Sequence, residues 1–559
     1  MKVLLLSPPV EDFFFTPQRA YPLGILYLAT VMREAGFSVK VVNCLQEYKK
    51  TTLAVPQEFS YLKRYYHPNE SPFCLFSHFC RFGMSDAEII NEVCGFSPDI
   101  VGISANFSAY FEESLGLARL VKHIDKRIVV VIGGRVPTAM PEMALKSPFI
   151  DFVVRGEAEE AFSALCRAIS SLQMPRIAGV CYKTLDGKMR ISKQIRIVKD
   201  LDSLPLLDRR LIDYFAYRFQ GDISTSLLAS RGCAMKCGFC AIREPFRYRS
   251  AANVFKEMQV CYEMGIRHFN FEDDTINLNP EFEKILDAAI ECFRGKIRIS
   301  FMNGMLSLNM GRRLKQKLAA AGLTHIDLSI ASASQTLRAG LQRDENTAAV
   351  FRVADFMAKQ RIAPTVHTII AFPRQTFSDA VKDIRVLAAK RLKLGLSIFY
   401  PVAESRMFQE YKDVFPDAQR QYRFFRSSAA CFDADMPRDK IFLLFYCSRI
   451  INFVKDLIDD FSIRDTHDFQ RLIREKTAGF FFKNNAFVSA EKVDRFTLGM
   501  LLLNRLSAEK RIHCVQLLKK KGAWQYRLKA EEFALSADIK RCLSGISIRG
   551  LSGAVVTLE

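Results

Sequence analysis

"SRGCAMKCGFC" (residues 230–240) sets Cys233, Cys237 and Cys240 four and then three residues apart, directly after the strand-like run "STSLLAS" (224–230). With 15 cysteines in 559 residues, chance produces this spacing in roughly one chain in a hundred. Three thiolates are one short of a closed four-ligand site, so a metal group held by them keeps a position open for a small molecule. Gly232 and Gly238 let the backbone wrap closely, and Arg231 and Lys236 are expected to offset the negative charge. A zinc ion on the same thiols is the competing reading.

Working outward, residues 223–410 alternate strand and helix patterns. The strands are "STSLLAS", "HFNFEDD", "RISFMNG", "HIDLSIAS", "PTVHTIIAF" and "LGLSIFYPV", with helical text such as "NVFKEMQVCYEMG" between them. Six such units predict a partial (β/α)6 barrel with its site at the C-terminal strand ends, and the cysteines lie on the loop after its first strand. Residues 1–170 alternate too, through "KVLLLSPP", "FSVKVVNC", "PDIVGISAN", "RIVVVIGG" and "FIDFVVRGE", which predicts a parallel, doubly wound α/β domain. Its ligand edge would carry Ser7, Ser104, Asn106, Gly133, Gly134 and Thr138. An aromatic insertion interrupts it at about 51–90, where His67, Cys74, His78 and Cys80 fit no standard zinc spacing. Residues 171–222 read as a hairpin turning at Asp186-Gly187 and a linker, and 411–559 as a mostly helical, Phe-rich region.

The size predicts about three domains. Fifteen cysteines in a chain expected to be cytoplasmic argue for metal or redox use of some, while Cys44, Cys166, Cys181, Cys261 and Cys292 sit in apolar or helical text and are assigned no role. The apolar run at the start is too short for a secretory signal, and "IFLLFYCSRIINFVKDLI" (441–458) is cut by Arg449 and Lys455, so no membrane span is expected. The net charge of +20 is spread along the chain without a nucleic-acid-binding signature, which predicts a solvated basic surface and no nucleic-acid partner.

The cysteine spacing, with aromatic Phe239 before the last cysteine, resembles the radical S-adenosylmethionine superfamily. The resemblance implies that Cys233, Cys237 and Cys240 bind a 4Fe–4S cluster whose fourth iron chelates S-adenosylmethionine, with Phe239 near the adenine. It implies that Glu272, Asp273 and Asp274 in "FNFEDDTINLNPEF" (269–282) are acceptors for the methionine ammonium. "LSIASAS" (328–334), with Ser329 and Ser332, takes the place of the ribose-contacting segment, and "IIAFPRQTFSD" (369–379), with Ala371 and Pro373, that of the adenine segment. "IFYPVAESRMF" (398–408) is similar to the family's closing strand. Departures are Ala331 for a common Glu, Gln375 for a Glu, Ala371 for a Gly, and "AES" for the closing strand's usual "PGT".

Residues 1–170 resemble the cobalamin-binding domain found upstream of such barrels, and "VKDLDSLPLLDR" (198–209) its linker. The Asp-x-His-x-x-Gly motif that would place a His under cobalt is absent from 1–170; His67, His78 and His123 lack its context. The resemblance reaches about residue 410. It implies a cobalamin-dependent methyltransferase acting on an unactivated carbon or phosphorus centre of a small-molecule, lipid or peptide substrate, with a reductant such as flavodoxin or ferredoxin. The radical takes a hydrogen atom from substrate, methylcobalamin donates the methyl group, and a second S-adenosylmethionine restores it. Rival readings are a radical cyclase or rearrangement enzyme and, from Ala331 and Gln375, a non-catalytic iron–sulfur or cobalamin sensor or partner subunit. No residue is singled out as catalytic.

Overall fold

A computed structural model describes residues 1–46, 49–64, 71–172, 176–343, 345–400, 402, 405–411, 426, 435–509, 512–520, 522–529 and 537–558. Near its N-terminus, β1 (Lys2–Ser7), β2 (Ser38–Asn43), β3 (Ile100–Ser104), β4 (Val129–Gly133) and β5 (Phe152–Val154) form a parallel sheet ordered β2-β1-β3-β4-β5. The hairpin β6 (Val180–Lys183) and β7 (Met189–Arg190) extends it antiparallel beyond β5. Strand order reverses at β1 and β3, the place where such sheets open a ligand crevice. Successive β1 residues serve opposite faces. Leu4 and Leu6 pack beneath helices Asp86–Phe96 and Phe111–Ile124, whereas Val3 and Leu5 meet helices Leu23–Glu34 and Ala158–Ser170. A strand buried on both sides reads as an unbroken apolar run.

One expectation changes here. Helix Asp86–Phe96, started by a Ser85/Glu88 capping box, covers this sheet although its first turns lie in the stretch read as insertion. Part of that stretch packs on the C-terminal region instead. Phe73 and Phe76 meet Phe453 and Phe442 edge-on, at ring separations of 5.3 and 5.6 Å, on helix Arg438–Asp460. His67 lies outside the described residues.

Six further parallel strands follow in spatial order: β8 (Asp222–Leu227), β9 (His268–Phe271), β10 (Arg298–Ser300), β11 (His325–Ala331), β12 (Ala363–Ile370) and β13 (Lys393–Ile398). They form two hydrogen-bonded groups of three, joined by single parallel bridges at Ile299–Leu323 and Met305–Leu328. This is the partial barrel, with helices in its crossovers. An ion triad fixes it to the linker. The Arg209 guanidinium lies 2.7 Å from Glu257, which Arg249 meets at 2.6 Å, and Arg209 and Glu257 are each 1 % exposed. Arg209 Nε donates to Thr225 Oγ1, whose hydroxyl donates to Tyr21 of the first domain.

The C-terminal region is only partly helical. Strands Ala486–Ser489, Cys514–Lys520 and Ala523–Lys529 make an antiparallel sheet, and Ile546–Arg549 pairs with Val555–Leu558. The alternation of Val515 with Leu517 and of Trp524, Tyr526 and Leu528 carries the period of two that marks strands. Lys455 does not face solvent. It is fully buried, and its ammonium donates to the carbonyls of Ala388, Lys390 and Arg549, tying this region to the barrel. Buried Arg426 reaches the first domain, donating to the carbonyls of Ala109 and Glu11 and pairing with Glu113 at 2.9 Å. Among the described residues no helix is long and apolar enough to cross a membrane.

Candidate active site

The three cysteines sit on the loop after β8. Cys237 is buried, and Cys233 and Cys240 are partly exposed. A two-residue ladder, Ser230–Tyr248 and Arg231–Arg247, closes the base of the loop. Gly232 has φ +80°, and a Cβ there would run into the carbonyls of Glu244 and Pro245. Gly238 is clamped from both sides, its N–H donating to Leu341 O at 2.8 Å and its carbonyl accepting from Met407 N at 3.0 Å.

Each sulfur accepts one N–H: Met235 N to Cys233 at 3.4 Å, Ile242 N to Cys240 at 3.5 Å, and Arg343 Nη1 to Cys237 at 3.6 Å. Burial pushes the Cys233 and Cys240 thiols up, which favours their meeting a positive metal over bare thiolates. Two buried donors beside them, Arg343 Nε and Thr275 Oγ1, have no hydrogen-bond partner of normal geometry. Three sulfurs with one N–H each and spare donors nearby fit an electron-rich iron–sulfur group.

The cation expected to face that group is a different one. Arg231 is taken by Glu159 at 2.8 Å and Glu157 at 3.5 Å, with its guanidinium over the Tyr27 ring, so it joins the two domains instead of neutralising the thiolates. Lys236 is exposed. Arg343 stands 106 residues from Cys237, and no local sequence signal points to it.

The three adjacent carboxylates have separate surroundings. Asp273 is fully enclosed, accepting from the Ala229 N–H and Ser230 hydroxyl, and burial pushes its carboxyl up to about 7. It braces the start of the cysteine loop. Glu272 accepts from Ser226 Oγ at 3.0 Å and Asn270 Nδ2 at 2.7 Å, and burial raises its pKa. Asp274 lies 3.8 Å from Arg135 of the first domain; burial raises its pKa and Arg135 opposes the rise. Glu272 and Asp274 keep more room for a cation than Asp273 does.

At the ends of β11 and β12, Ala331 and Ala371 adopt φ of +55° and +62°. The left-handed turn explains why glycine suits position 371, and alanine there costs about 1 kcal/mol. Ser329 is half-buried, whereas Ser332 is fully buried, donating to Asp383 and accepting from Ser334 N–H. Pro373 is half-buried beside Gln375, whose Nε2 is buried without a partner. Ala403 and Glu404 of the closing strand lie outside the described residues.

Phe239 stands 5.9 Å from Phe372 in an apolar cluster with Ala331, Phe399 and Met407, against which Ala109, Met140 and Met143 of the first domain pack. The sheet edge thus faces the barrel mouth. On that edge Ser7 and Ser104 are half-buried and Asn106 is exposed, donating to Ser104 Oγ at 3.2 Å. Gly134 has φ +117°, and a Cβ would lie 2.7 Å from Asn106 Oδ1 and 2.8 Å from Ala105 O. Thr138 is committed to structure, donating to Gly134 O and accepting from Gly156 N. Gly133 at the end of β4, exposed Asn106 and Phe107, and the methionines leave a half-apolar, glycine-lined edge that suits a large flat ligand.

Comparison with known proteins gives these observations a family context. The sequence matches the B12 binding domain family over residues 78–166 and the Radical SAM superfamily over residues 227–387. It is 26% identical over 412 residues to an uncharacterized methyltransferase of Pyrococcus horikoshii, covering 71% of this chain and 80% of that protein. It is also 26% identical to cytidylyl-2-hydroxyethylphosphonate methyltransferase of Streptomyces wedmorensis, covering 60% of this chain and 66% of that protein. The fold is similar to that of TsrM from Kitasatospora setae, a radical S-adenosylmethionine methyltransferase solved with cobalamin and a [4Fe-4S] cluster. That likeness has a TM-score of 0.55 at 17% identity and covers 74% of this chain and 75% of that one.

Proposed function

We propose that this chain, which joins a B12 binding domain to a radical S-adenosylmethionine barrel, is a cobalamin-dependent radical S-adenosylmethionine methyltransferase. Its substrate class is an unactivated carbon or phosphorus centre in a small molecule, lipid or peptide. The observation that carries the reading is the apposition of the cysteine loop to the sheet edge, through Asp274–Arg135 and the packing of Met140 and Met143 on the cluster of Phe239 and Phe372. When bound, the iron–sulfur cluster with S-adenosylmethionine supplies radical hydrogen-atom abstraction, and cobalamin supplies the methyl group.

The chain's own residues hold and orient. Cys233, Cys237 and Cys240 are the metal ligands. Glu272 and Asp274 accept from the ammonium of S-adenosylmethionine, while Asp273 keeps the loop in place from behind. Phe239, Ala371 and Pro373 border the adenine, and Ser329 lies toward the ribose. Gly133, Gly134, Ser104, Asn106 and Ser7 line the cobalamin edge, and Thr138 braces Gly134. A flavodoxin- or ferredoxin-type reductant and a cytoplasmic setting belong to this reading.

The test is anaerobic reconstitution with iron, sulfide and cobalamin, followed by S-adenosylmethionine and dithionite. Expected are about four iron atoms per chain, with both 5′-deoxyadenosine and S-adenosylhomocysteine formed, and loss of both products in Cys240→Ala. Deoxyadenosine alone would point to cyclisation or rearrangement. A full cluster that yields neither product with candidate substrates would point to a sensor, and a chain holding zinc and no cluster would end the proposal.

A further inference from the structure

We propose that Arg343 tunes the reduction potential of the metal centre, its guanidinium being held by Glu345 so that it serves Cys237 and the cluster beside it. The inference rests on the functional reading above, which places a cluster at the three thiolates. Arg343 Nη1 donates to Cys237 Sγ at 3.6 Å and Nη2 to Glu345 Oε2 at 2.8 Å. Glu345 is itself fixed, since its Oε1 accepts from the Ser307 backbone N–H at 2.7 Å. The Arg343 and Glu345 side chains are 13 % and 5 % exposed, so water screens little of the interaction. The third nitrogen, Nε, is buried without an acceptor.

A hydrogen-bond donor and positive charge next to a ligand sulfur stabilise the reduced cluster more than the oxidised one, because reduction adds an electron to the sulfur-rich core. No other described cation takes this place. Arg231 is neutralised by Glu157 and Glu159, and Arg406 lies against Gly340 O and Glu410. Among the described residues Arg343 is the one cationic side chain hydrogen-bonded to a cysteine sulfur of the loop. It is a positioning residue and touches no substrate.

The test is a potentiometric titration of the reconstituted full-length protein, without substrate, followed by the electron paramagnetic resonance of the reduced cluster. Arg343→Met is expected to keep its iron and to lower the midpoint, so that the ratio of reduced to oxidised cluster at fixed potential falls about tenfold, a shift of ~59 mV for a one-electron couple. Arg343→Lys, which keeps the charge but loses the fork, should shift less. A full cluster at an unshifted midpoint in Arg343→Met overturns the inference alone. If that variant holds no cluster, Arg343→Gln carries the test, and an unshifted midpoint or loss of iron there overturns it in favour of an assembly role. A wild-type protein that holds no cluster removes the functional reading and this inference together.

Discussion

The barrel rim and the sheet edge pack against each other, yet they are built on opposite plans. On the rim, buried donors are left over: Arg343 Nε and Gln375 Nε2 lack partners, and Thr275 Oγ1 has only the Cys233 sulfur near it. On the edge, the polar groups are largely paired among themselves, Thr138 with Gly134 and Gly156, and Asn106 with Ser104 and the Arg135 N–H. Unpaired buried donors are costly, so the rim is organised around a group that brings acceptors. The edge offers shape: glycines, apolar methionines and an exposed Phe107. The rim is suited to recognition by hydrogen bonds, the edge to recognition by fit.

The contrast has meaning only if the two sides are held in register, and the largest effect is expected where that joint is broken. Glu257→Gln leaves Arg209 and Arg249 without their buried counter-charge, and should destabilise the protein by about 3–5 kcal/mol in urea unfolding. A smaller loss in that variant would mean that the domains are held chiefly by apolar packing.

His268 adds a pH signature to the barrel side. Burial, with Arg298 assisting, lowers its pKa from 6.5 to about 4. The unfolded chain then takes up a proton near pH 6.5 that the folded chain refuses until about pH 4. The stability contributed by neutral His268 is therefore present above 6.5 and lost as pH falls between those values, about 3 kcal/mol in all. Unfolding midpoints measured from pH 7 to 4.5 should fall more steeply in the wild type than in His268→Gln, and parallel curves would refute the assignment.

If the edge works by shape, Gly134→Ala should cost about 1–3 kcal/mol and reduce cobalamin retention during gel filtration, because the new methyl group meets Asn106 and Ala105. Undiminished retention would move cobalamin away from this edge. The smallest effect belongs to the rim. Gln375→Leu removes a donor that has no partner in the protein, together with the long hydrogen bond that Phe372 N–H makes to Gln375 Oε1 at 3.4 Å, so apo stability should fall by about 1 kcal/mol. S-adenosylmethionine affinity, measured by equilibrium dialysis, should fall several-fold. Unchanged affinity would show the orphaned amide to be incidental.

Apolar runs and their periodicity made most of the frame legible. The five parallel strands of the first sheet and the six of the barrel stand where those runs lie; β1, β3 and β4 are buried almost throughout and leave a continuous hydrophobic trace, whereas β11 and β12 alternate. The cysteine spacing marked the loop. What stayed hidden depends on partners remote in the chain. Arg231, expected to offset the charge of the thiolates, is instead held by Glu157 and Glu159, and Lys455, which reads only as a break in an apolar run, is surrounded by three carbonyls. Arg343 carried no local cue at all. The small C-terminal sheets were a different failure: their alternation is visible in the text, but neighbouring helical runs obscured it.

The bond between Arg426 and Glu113 bears on how the chain can be cut. Every expected cofactor ligand precedes the end of β13, so a shortened version stopping there looks sufficient on paper. Such a truncation would strand a carboxylate that is 7 % exposed without its guanidinium, right behind the sheet edge proposed to hold cobalamin. The tail thus acts as a strap on the domain farthest from it in sequence, and a minimal catalytic fragment should be sought by trimming loops rather than by removing the tail.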